Sequence, residues 1–337
     1  MPGYKKLEAR KWAIENMKGV ANVISPTFTQ DLSTVNERAI RYDVRKEIEF
    51  GFWGALLVAE TATTMVEYLQ LMEWAVDEAK GRLYLIHHAS FNTLEDNIVA
   101  VRGAEARGAQ LVLLSYPANF YAQNAEDIYK YTAAFCEATN LGVILFPVPL
   151  WGFERIHPAG MPPDLIVRMV DEIPNIVAVK AEGGFPSIGG FVDTFNRLHE
   201  KVPVIAPLEY DGLPLKMLVD MPFMGTSNYE YFGPMIPRIF GLLEQGKRED
   251  AMKFWWQIHP GRMANAAANS IGGTNFIHRM LWKYQGWLSG FNGGPLRQPT
   301  MRLVDSQMKA LRQGLENSGL EVSSAPFSEF FTGRNPA

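Results

Sequence analysis

The segment NIVAVKAEGG, residues 175–184, reads as a buried strand that ends in a lysine. Ile176 to Val179 form a continuous apolar run after Pro174 and Asn175, two residues typical of turns. An apolar run without alternation predicts a parallel strand covered on both faces. Lys180 closes this run, so its side chain needs either a route to solvent or a function.

Similar apolar runs occur on both sides of this segment, and a helical pattern follows each of them. The other seven runs are VANVIS (20–25), WGALLV (53–58), LYLIH (83–87), LVLLS (111–115), VILFP (143–147), PVIA (203–206) and PFMGT (222–226). Eight strand–helix units predict an α/β fold of the (β/α)8 TIM barrel type. A doubly wound sheet is less well supported, because no glycine-rich dinucleotide fingerprint follows the first strand.

The strand pattern stops after Thr226 and gives way to helical periodicity. We therefore predict an N-terminal amphipathic helix at 1–18, the barrel at 19–228, a C-terminal helical domain at 229–320 and a loose tail at 321–337. The helical domain is expected to be an extension packed against the barrel.

The composition of the chain limits the classes of partner that it is expected to bind. The chain has 337 residues, a net charge of −4 and no long basic run, so nucleic acid and anionic membranes are not expected to bind. Cys136 is the single cysteine, which excludes an internal disulfide.

No apolar stretch reaches bilayer length and the N-terminus lacks a signal-peptide core, so we expect a cytoplasmic protein. Neither an HxH pair after the first strand nor an HExxH motif occurs, so no metal or other cofactor is expected.

Lys180 lies at the predicted C-terminal end of the sixth strand, the end that carries the active site in barrels. One interpretation is a lysine that extends to the rim and pairs with Glu182. The other is an amine nucleophile, because burial lowers the pKa of a lysine and the neutral amine attacks carbonyls to form a Schiff base. The protonated imine then acts as an electron sink for bond making or breaking at the adjacent carbon.

Over residues 19 to 320 the chain resembles the pyruvate-dependent class I aldolase family that includes dihydrodipicolinate synthase and N-acetylneuraminate lyase. The resemblance rests on NIVAVKAEGG together with GVANVISPTF (19–28), GFWG (51–54), GR (81–82), ILFPVP (144–149), FMGTSNYEYFGP (223–234) and GGPLRQP (293–299). It implies a barrel with a C-terminal helical domain and an imine-forming lysine at Lys180. It also implies a homo-oligomer, most commonly a tetramer.

The sequence departs from this family at the positions that bind substrate and move protons. Phe146 stands where the family has a tyrosine that relays protons, and Trp151 lies where the synthases have an arginine. LLVAETATTM (56–65) replaces a Gly-Thr-Thr-Gly-Glu loop that holds the substrate carboxylate. Glu60 takes the place of the glutamate in one register, while in another Thr61 keeps one hydroxyl. An ionised Glu60 would repel a substrate carboxylate.

Another group must therefore carry protons. In LIHHAS (85–90), one of His87 and His88 points into the barrel, since side chains alternate along a strand, and we select His88. The alternative interpretation is a core histidine that is hydrogen-bonded and has no catalytic role. The resemblance also implies a tyrosine after the fourth strand, often shared between subunits. Tyr116, Phe120 and Tyr121 all remain candidates for that position, and aromatic packing at an interface is the alternative interpretation.

Small polar residues follow the eighth strand. Thr226 and Ser227 could bind a substrate oxygen, although such residues also suit a turn without any function.

These observations predict a Schiff-base lyase of the aldolase or hydratase-aldolase type that acts on a small carbonyl or oxo-acid substrate. Phe146, Trp151, Phe153 and Trp53 would give an aromatic lining, which favours a hydrophobic substrate over the standard pyruvate and aspartate-semialdehyde pair. The alternative is an inactive relative that serves as a binding or assembly protein. The lost tyrosine and the lost carboxylate loop argue for that alternative, whereas the retained lysine argues against it, because an unused buried lysine is costly.

Overall fold

The protein is a (β/α)8 barrel followed by C-terminal helices, as seen in a computed structural model. The structure describes residues 2–117, 119–181, 187–270, 278–298 and 300–337. Eight strands are found among them, in the order β7-β6-β5-β4-β3-β2-β1-β8. They are β1 (Gly19–Ile24), β2 (Gly54–Leu57), β3 (Tyr84–Ala89), β4 (Leu111–Leu114), β5 (Gly142–Leu145), β6 (Ile176–Lys180), β7 (Val204–Ile205) and β8 (Phe223–Met224).

Helices alternate with the strands and continue after the last one. The helices α1 to α8 are Ala9–Asn16, Glu37–Glu49, Met65–Ala79, Leu94–Ala106, Ala125–Glu137, Pro163–Glu172, Ser187–Leu198 and Glu209–Lys216. The helices α9 to α14 are Met235–Glu244, Arg248–Gln257, His259–Asn269, Arg279–Leu288, Asp305–Asn317 and Phe327–Thr332. Short 3-10 helices occupy Lys6–Glu8, Pro149–Trp151, Phe153–Arg155 and Glu230–Phe232.

The predicted strands are confirmed. Each of the eight apolar runs contains or overlaps one observed strand, and β2, β4, β5 and β6 are buried along their whole length. The runs lack alternation because these strands are covered on both faces, as parallel strands in α/β folds are. The prediction of helices after the barrel is confirmed as well.

The chain divides into two compact units. The first unit comprises Met1–Ala21 and Tyr84–Thr226, and the second comprises Asn22–Leu83 and Ser227–Ala337. The predicted boundaries at 228 and 320 followed the change from strands to helices along the chain, and they stay a prediction.

In the first unit, the register of the parallel strands decides which side chains share a face. Ala89 pairs with Leu114, Leu114 with Leu145, and Leu145 with Val179. The next position on these strands is Ser115 after β4, Phe146 after β5 and Lys180 in β6. Side chains at equivalent positions of neighbouring strands point to the same face, so these three residues lie in one row.

The first unit also holds the N-terminal helix. Arg10 in α1 donates hydrogen bonds to the carbonyls of Val170, Ile173 and Ile176 at 2.6, 3.0 and 3.1 Å. The guanidinium thereby satisfies carbonyls at the end of α6 and the start of β6. These contacts tie the first helix to the strand that carries Lys180.

In the second unit, the C-terminal segment is more ordered than the expected loose tail. Phe327–Thr332 forms α14, and Phe330 is fully buried. Its ring lies 5.2 Å from that of Tyr284 and 5.9 Å from that of Trp287, both in α12. Aromatic burial of this size stabilises a segment that its polar neighbours alone would leave solvated.

Among the described residues, no helix combines the length and the apolar character needed to cross a bilayer.

Candidate active site

The C-terminal ends of β3 to β6 bring four chemically distinct side chains onto one face of the first unit. Ser115, Phe146 and Lys180 lie in one register row, and His88 lies one row earlier on the same face, because His88 pairs with Leu113. All four are buried. The predicted His88, Phe146 and Lys180 are thus brought together on this face, and Ser115 joins them.

Lys180 lies on the face of the Phe146 ring. Its Nζ is 3.7 Å from the ring centroid, and the two residues are 4% and 6% exposed. The electron-rich face of a ring attracts an ammonium or iminium ion, by about 0.5–2 kcal/mol depending on how dry the site is. Phe146 therefore supports positive charge at Nζ although it has no proton to give.

Trp151 holds Phe146 in this position. Its indole Nε1 donates a hydrogen bond of 2.6 Å to the carbonyl of Phe146, and the two rings meet edge to face at 5.7 Å. The short 3-10 helix Pro149–Trp151 turns the indole back towards the end of β5. Trp151 is thus a neighbour of the predicted lysine site, as the sequence had indicated.

His88 is hydrogen-bonded to Ser115, with 2.9 Å between Nε2 and Oγ. Both side chains are almost fully buried, and the backbone N–H of Ser115 donates to the carbonyl of Ala89 at 3.0 Å. The neighbouring His87 points to the opposite face of the strand. Burial, with a smaller electrostatic contribution from the neighbouring His88, lowers the pKa of His87 to about 3, so His87 stays neutral.

Of the three aromatic candidates after β4, two pack inward. The hydroxyl of Tyr116 donates to Oγ1 of Thr132 at 2.6 Å, because the Thr132 hydroxyl is itself committed to the carbonyl of Ile128. Phe120 stacks on the Tyr116 ring at 5.8 Å. Burial raises the pKa of Tyr116, an effect that the Thr132 hydrogen bond only partly offsets. This geometry favours a packing role for Tyr116 over proton relay.

Tyr121 is the exposed candidate. It is 72% exposed, and the Arg155 guanidinium lies 3.7 Å from its ring centroid. An exposed tyrosine stacked with an arginine suits contact with another protein surface.

Thr226, which ends the first unit, is 2% exposed. Its Oγ1 has no hydrogen-bond partner among the described residues, so it remains a candidate for a substrate oxygen. Ser227, the first residue of the second unit's later segment, is half-buried. Glu182, the partner suggested for Lys180 at the rim, lies outside the described residues.

In the second unit, Glu60 forms an ion pair with Arg279 at the start of α12. Arg279 is 9% exposed and also lies 5.3 Å from the Trp282 ring. The guanidinium offsets the negative charge that we expected Glu60 to present. Thr61 is buried, and its Oγ1 has no partner among the described residues.

A second buried lysine lies elsewhere in the second unit. Lys283 in α12 donates to the carbonyl of Pro26 and, at 2.8 Å, to Oγ1 of Thr27. With Asp43 and Glu230 it lines a cavity of about 20 Å³, roughly the room that one water molecule needs. Burial raises the pKa of Glu230 to about 8, so its carboxyl is largely protonated at neutral pH.

Sequence reasoning missed Ser115, Arg279 and Lys283. Ser115 carried a usable signal, because it ends an apolar run just as Lys180 does.

Trp53 was placed wrongly in the aromatic lining, since it precedes β2 and so lies at the N-terminal end of that strand, away from Glu60. Phe153 is buried, with its ring 5.2 Å from Tyr116.

Comparison with known proteins identifies the family. A sequence profile of the dihydrodipicolinate synthetase family matches residues 16–260. This match covers most of the chain, so the protein belongs to that family, and the resemblance stated from the motifs is confirmed.

The similarity to individual relatives is low. The 4-hydroxy-tetrahydrodipicolinate synthase of Chloroherpeton thalassium is 27% identical over 194 residues, 56% of this chain and 61% of that protein. The chain therefore matches less than two thirds of that relative's length. The synthase of Symbiobacterium thermophilum is 26% identical over 255 residues, 75% of this chain and 80% of the relative. Such values mark a divergent member.

Solved structures agree on the fold. The dihydrodipicolinate synthase structure from Thermotoga maritima superposes with a TM-score of 0.76, covering 90% of this chain and 99% of that one. Its sequence identity is 20%, so this likeness bears on the fold alone.

Proposed function

We propose that the protein is a Schiff-base lyase in which Lys180 forms an imine with a small carbonyl or oxo-acid substrate. The single observation that carries the proposal is the position of Lys180: buried at the end of β6, with its Nζ on the Phe146 ring. Family membership supports the same lysine chemistry. The reaction would be an aldol or retro-aldol step, or a linked hydration and dehydration.

Each neighbour of Lys180 contributes something different to such a reaction. The Phe146 ring stabilises the positive charge of a protonated imine, which is the form that accepts electrons from the adjacent carbon. Trp151 fixes the position of that ring through the carbonyl of Phe146. Burial keeps water away from the imine and strengthens these electrostatic effects.

Aromatic side chains surround this part of the first unit. The ring of Tyr116 lies 6.1 Å from that of Trp151 and 5.2 Å from that of Phe153. We infer that the substrate is hydrophobic or aromatic on the side that faces these rings. The standard condensation of pyruvate with aspartate semialdehyde is then not the expected reaction.

The direct test is borohydride reduction in the presence of small oxo acids and aldehydes. A reduced imine adds the mass of the substrate less one oxygen atom to the peptide that contains Lys180. Absence of any adduct over a broad panel, with and without an aromatic group, would favour the alternative of a binding or assembly protein.

We predict that two substitutions of Phe146 will show whether its ring stabilises the positive charge of the imine. This effect is distinct from proton transfer, which Phe146 cannot perform. Phe146→Leu removes the ring face and should lower the yield of the reduced adduct by about 2- to 30-fold, the equivalent of 0.5–2 kcal/mol. Phe146→Tyr keeps the ring and should retain the adduct. Mass spectrometry of the borohydride-treated variants measures both yields.

The same variants test the substrate. Neither the wild type nor Phe146→Tyr should condense pyruvate with aspartate semialdehyde or cleave N-acetylneuraminate in coupled assays. Ordinary activity in the wild type would contradict the inferred change of substrate. An unchanged adduct yield in Phe146→Leu would contradict the role of the ring.

We further predict a homo-oligomer, most simply a tetramer, in which the exposed Tyr121 contacts a second copy of the chain. Sedimentation at micromolar concentration should give a mass several times that of the 37.9 kDa chain. Tyr121→Ser should weaken the assembly, while Tyr129→Ser serves as the matched control, because Tyr129 is partly exposed on α5 and also stacks with an arginine, Arg168, at 3.8 Å. A monomeric wild type would overturn this prediction.

A further inference from the structure

A hydroxyl and an imidazole are paired at the level of the lysine in the first unit. The 2.9 Å hydrogen bond between Ser115 Oγ and His88 Nε2 lies in a region from which solvent is almost absent, since the two residues are 0% and 3% exposed. A serine hydroxyl both donates and accepts, so it can pass a proton between an imidazole and a third group.

The register of the strands gives the order of these groups. Ser115 lies in the same row as Phe146 and Lys180, and His88 lies one row deeper on the same face. Two strand spacings, roughly 10 Å, separate Ser115 from Lys180 along the row. Phe146 lies between them. A substrate of a few carbon atoms bound to Nζ can therefore extend over the Phe146 ring towards the Ser115 hydroxyl.

We propose that Ser115 is the catalytic residue that exchanges protons with the substrate bound to Lys180, and that His88 is the positioning residue that stores the proton behind it. This inference rests on the proposed lysine imine. It names the group that would carry protons in place of the family's tyrosine, since Phe146 at that position has no hydroxyl.

The proton balance is complete without a further reagent. When a C–H bond next to the imine carbon breaks, Ser115 Oγ takes the proton and passes its own to His88 Nε2. The electron pair of the C–H bond moves towards the imine nitrogen and leaves an enamine. For carbon–carbon cleavage, a substrate hydroxyl gives its proton to Ser115, the bond electrons move to the imine nitrogen and an aldehyde leaves.

The return path restores the starting state. The enamine carbon takes a proton from Ser115, which regains one from His88, and the imine forms again. Water then releases the oxo product from Lys180. His88 suits this task because its Nε2 already lies within hydrogen-bond distance of the Ser115 hydroxyl, whereas His87 points to the opposite face of the strand.

The experiment separates imine formation from proton exchange. Pyruvate, 2-oxobutanoate and 4-phenyl-2-oxobutanoate are each incubated with the protein in D2O, and NMR follows the loss of signal from the hydrogens next to the carbonyl. Borohydride trapping is measured in parallel. Ser115→Ala should exchange on the order of 10²-fold more slowly than the wild type, the low end of general acid–base effects, while its trapped adduct stays within a few-fold.

Two further variants show whether an effect of Ser115→Ala is due to the lost hydroxyl. Ser115→Thr retains the hydroxyl and should restore exchange to within about tenfold of the wild type. Thr132→Val breaks the Tyr116 hydrogen bond in the same unit and should change neither readout. Trapping in each variant shows that its lysine site has formed.

Normal exchange in a Ser115→Ala protein that still traps substrate would overturn this inference and leave the lysine imine standing. Slow exchange in both Ser115→Ala and Ser115→Thr, with trapping intact, would also overturn it, because the hydroxyl would then not be the cause. Absence of an adduct in the wild type with all three oxo acids would overturn the proposed function, and this inference with it.

Discussion

Lys180→Met is expected to abolish the borohydride-reducible adduct and all turnover while the fold is retained. Methionine fills a similar volume and has no amine, so no imine can form. The side chain is buried against Phe146, and an apolar replacement there avoids an unpaired charge. Intact-mass spectrometry after reduction measures the adduct, and circular dichroism measures the fold.

Lys201→Met is the matched control. Lys201 belongs to the same unit and pairs on the surface with Asp171 at 2.6 Å. Its loss should leave the adduct unchanged and cost at most about 1 kcal/mol of stability. A Lys180→Met protein that still forms a reducible adduct, mapped to another lysine, would show that the assignment of Lys180 is wrong.

Lys283→Met is expected to have the opposite profile, with a large loss of stability and no direct effect on imine chemistry. Lys283 is 6% exposed and shares its surroundings with Asp43. Burial raises the pKa of Asp43 and lowers that of Lys283, and each charge offsets part of the shift of the other. Removing the lysine charge that offsets a buried carboxyl leaves that carboxyl uncompensated, which typically costs roughly 3–5 kcal/mol.

The loss of stability in Lys283→Met should depend on pH. Without Lys283, the pKa of Asp43 in the folded protein rises further above its value near 4 in the unfolded chain. The folded state then holds a proton that the unfolded state has released, and stability falls as pH rises through the folded-state pKa. The deficit measured by urea unfolding should therefore be larger at pH 8 than at pH 5.

Lys253→Met controls for the substitution itself, because Lys253 is exposed and pairs with Asp250 on the surface of the same unit. It should change stability by less than about 1 kcal/mol at either pH. A Lys283→Met protein as stable as this control at pH 8 would mean that the buried pair contributes little.

The strands could be predicted from sequence because each depends on a local property. A short apolar run without alternation is buried on both faces wherever it lies, and eight such runs with helices between them leave few architectures open. The position of Lys180 followed from the same pattern, since the end of a barrel strand is defined by the end of its run. His88 could be selected for the same reason.

The partners of these residues could not be predicted. Arg279 and Glu60 are more than two hundred positions apart, and neither segment contains a pattern that predicts contact with the other. Tyr116 was a reasonable candidate by position, yet the orientation of its hydroxyl is decided by Thr132 on α5. Ser115 could have been predicted from its position at the end of an apolar run, but the family resemblance points to the aromatic residues beside it.

The anchoring of α1 on β6 has a consequence for how the chain is made. Arg10 and Val170 are separated by 160 residues, so α1 leaves the ribosome long before its binding site exists. At about 5–20 residues per second, the interval is roughly 8–30 s. During this time β3, β4 and β5 are synthesised without the strand that carries Lys180, and their apolar edges lack a partner. The first unit therefore closes late in synthesis, and the cell must keep a half-built sheet from aggregating until β6 arrives.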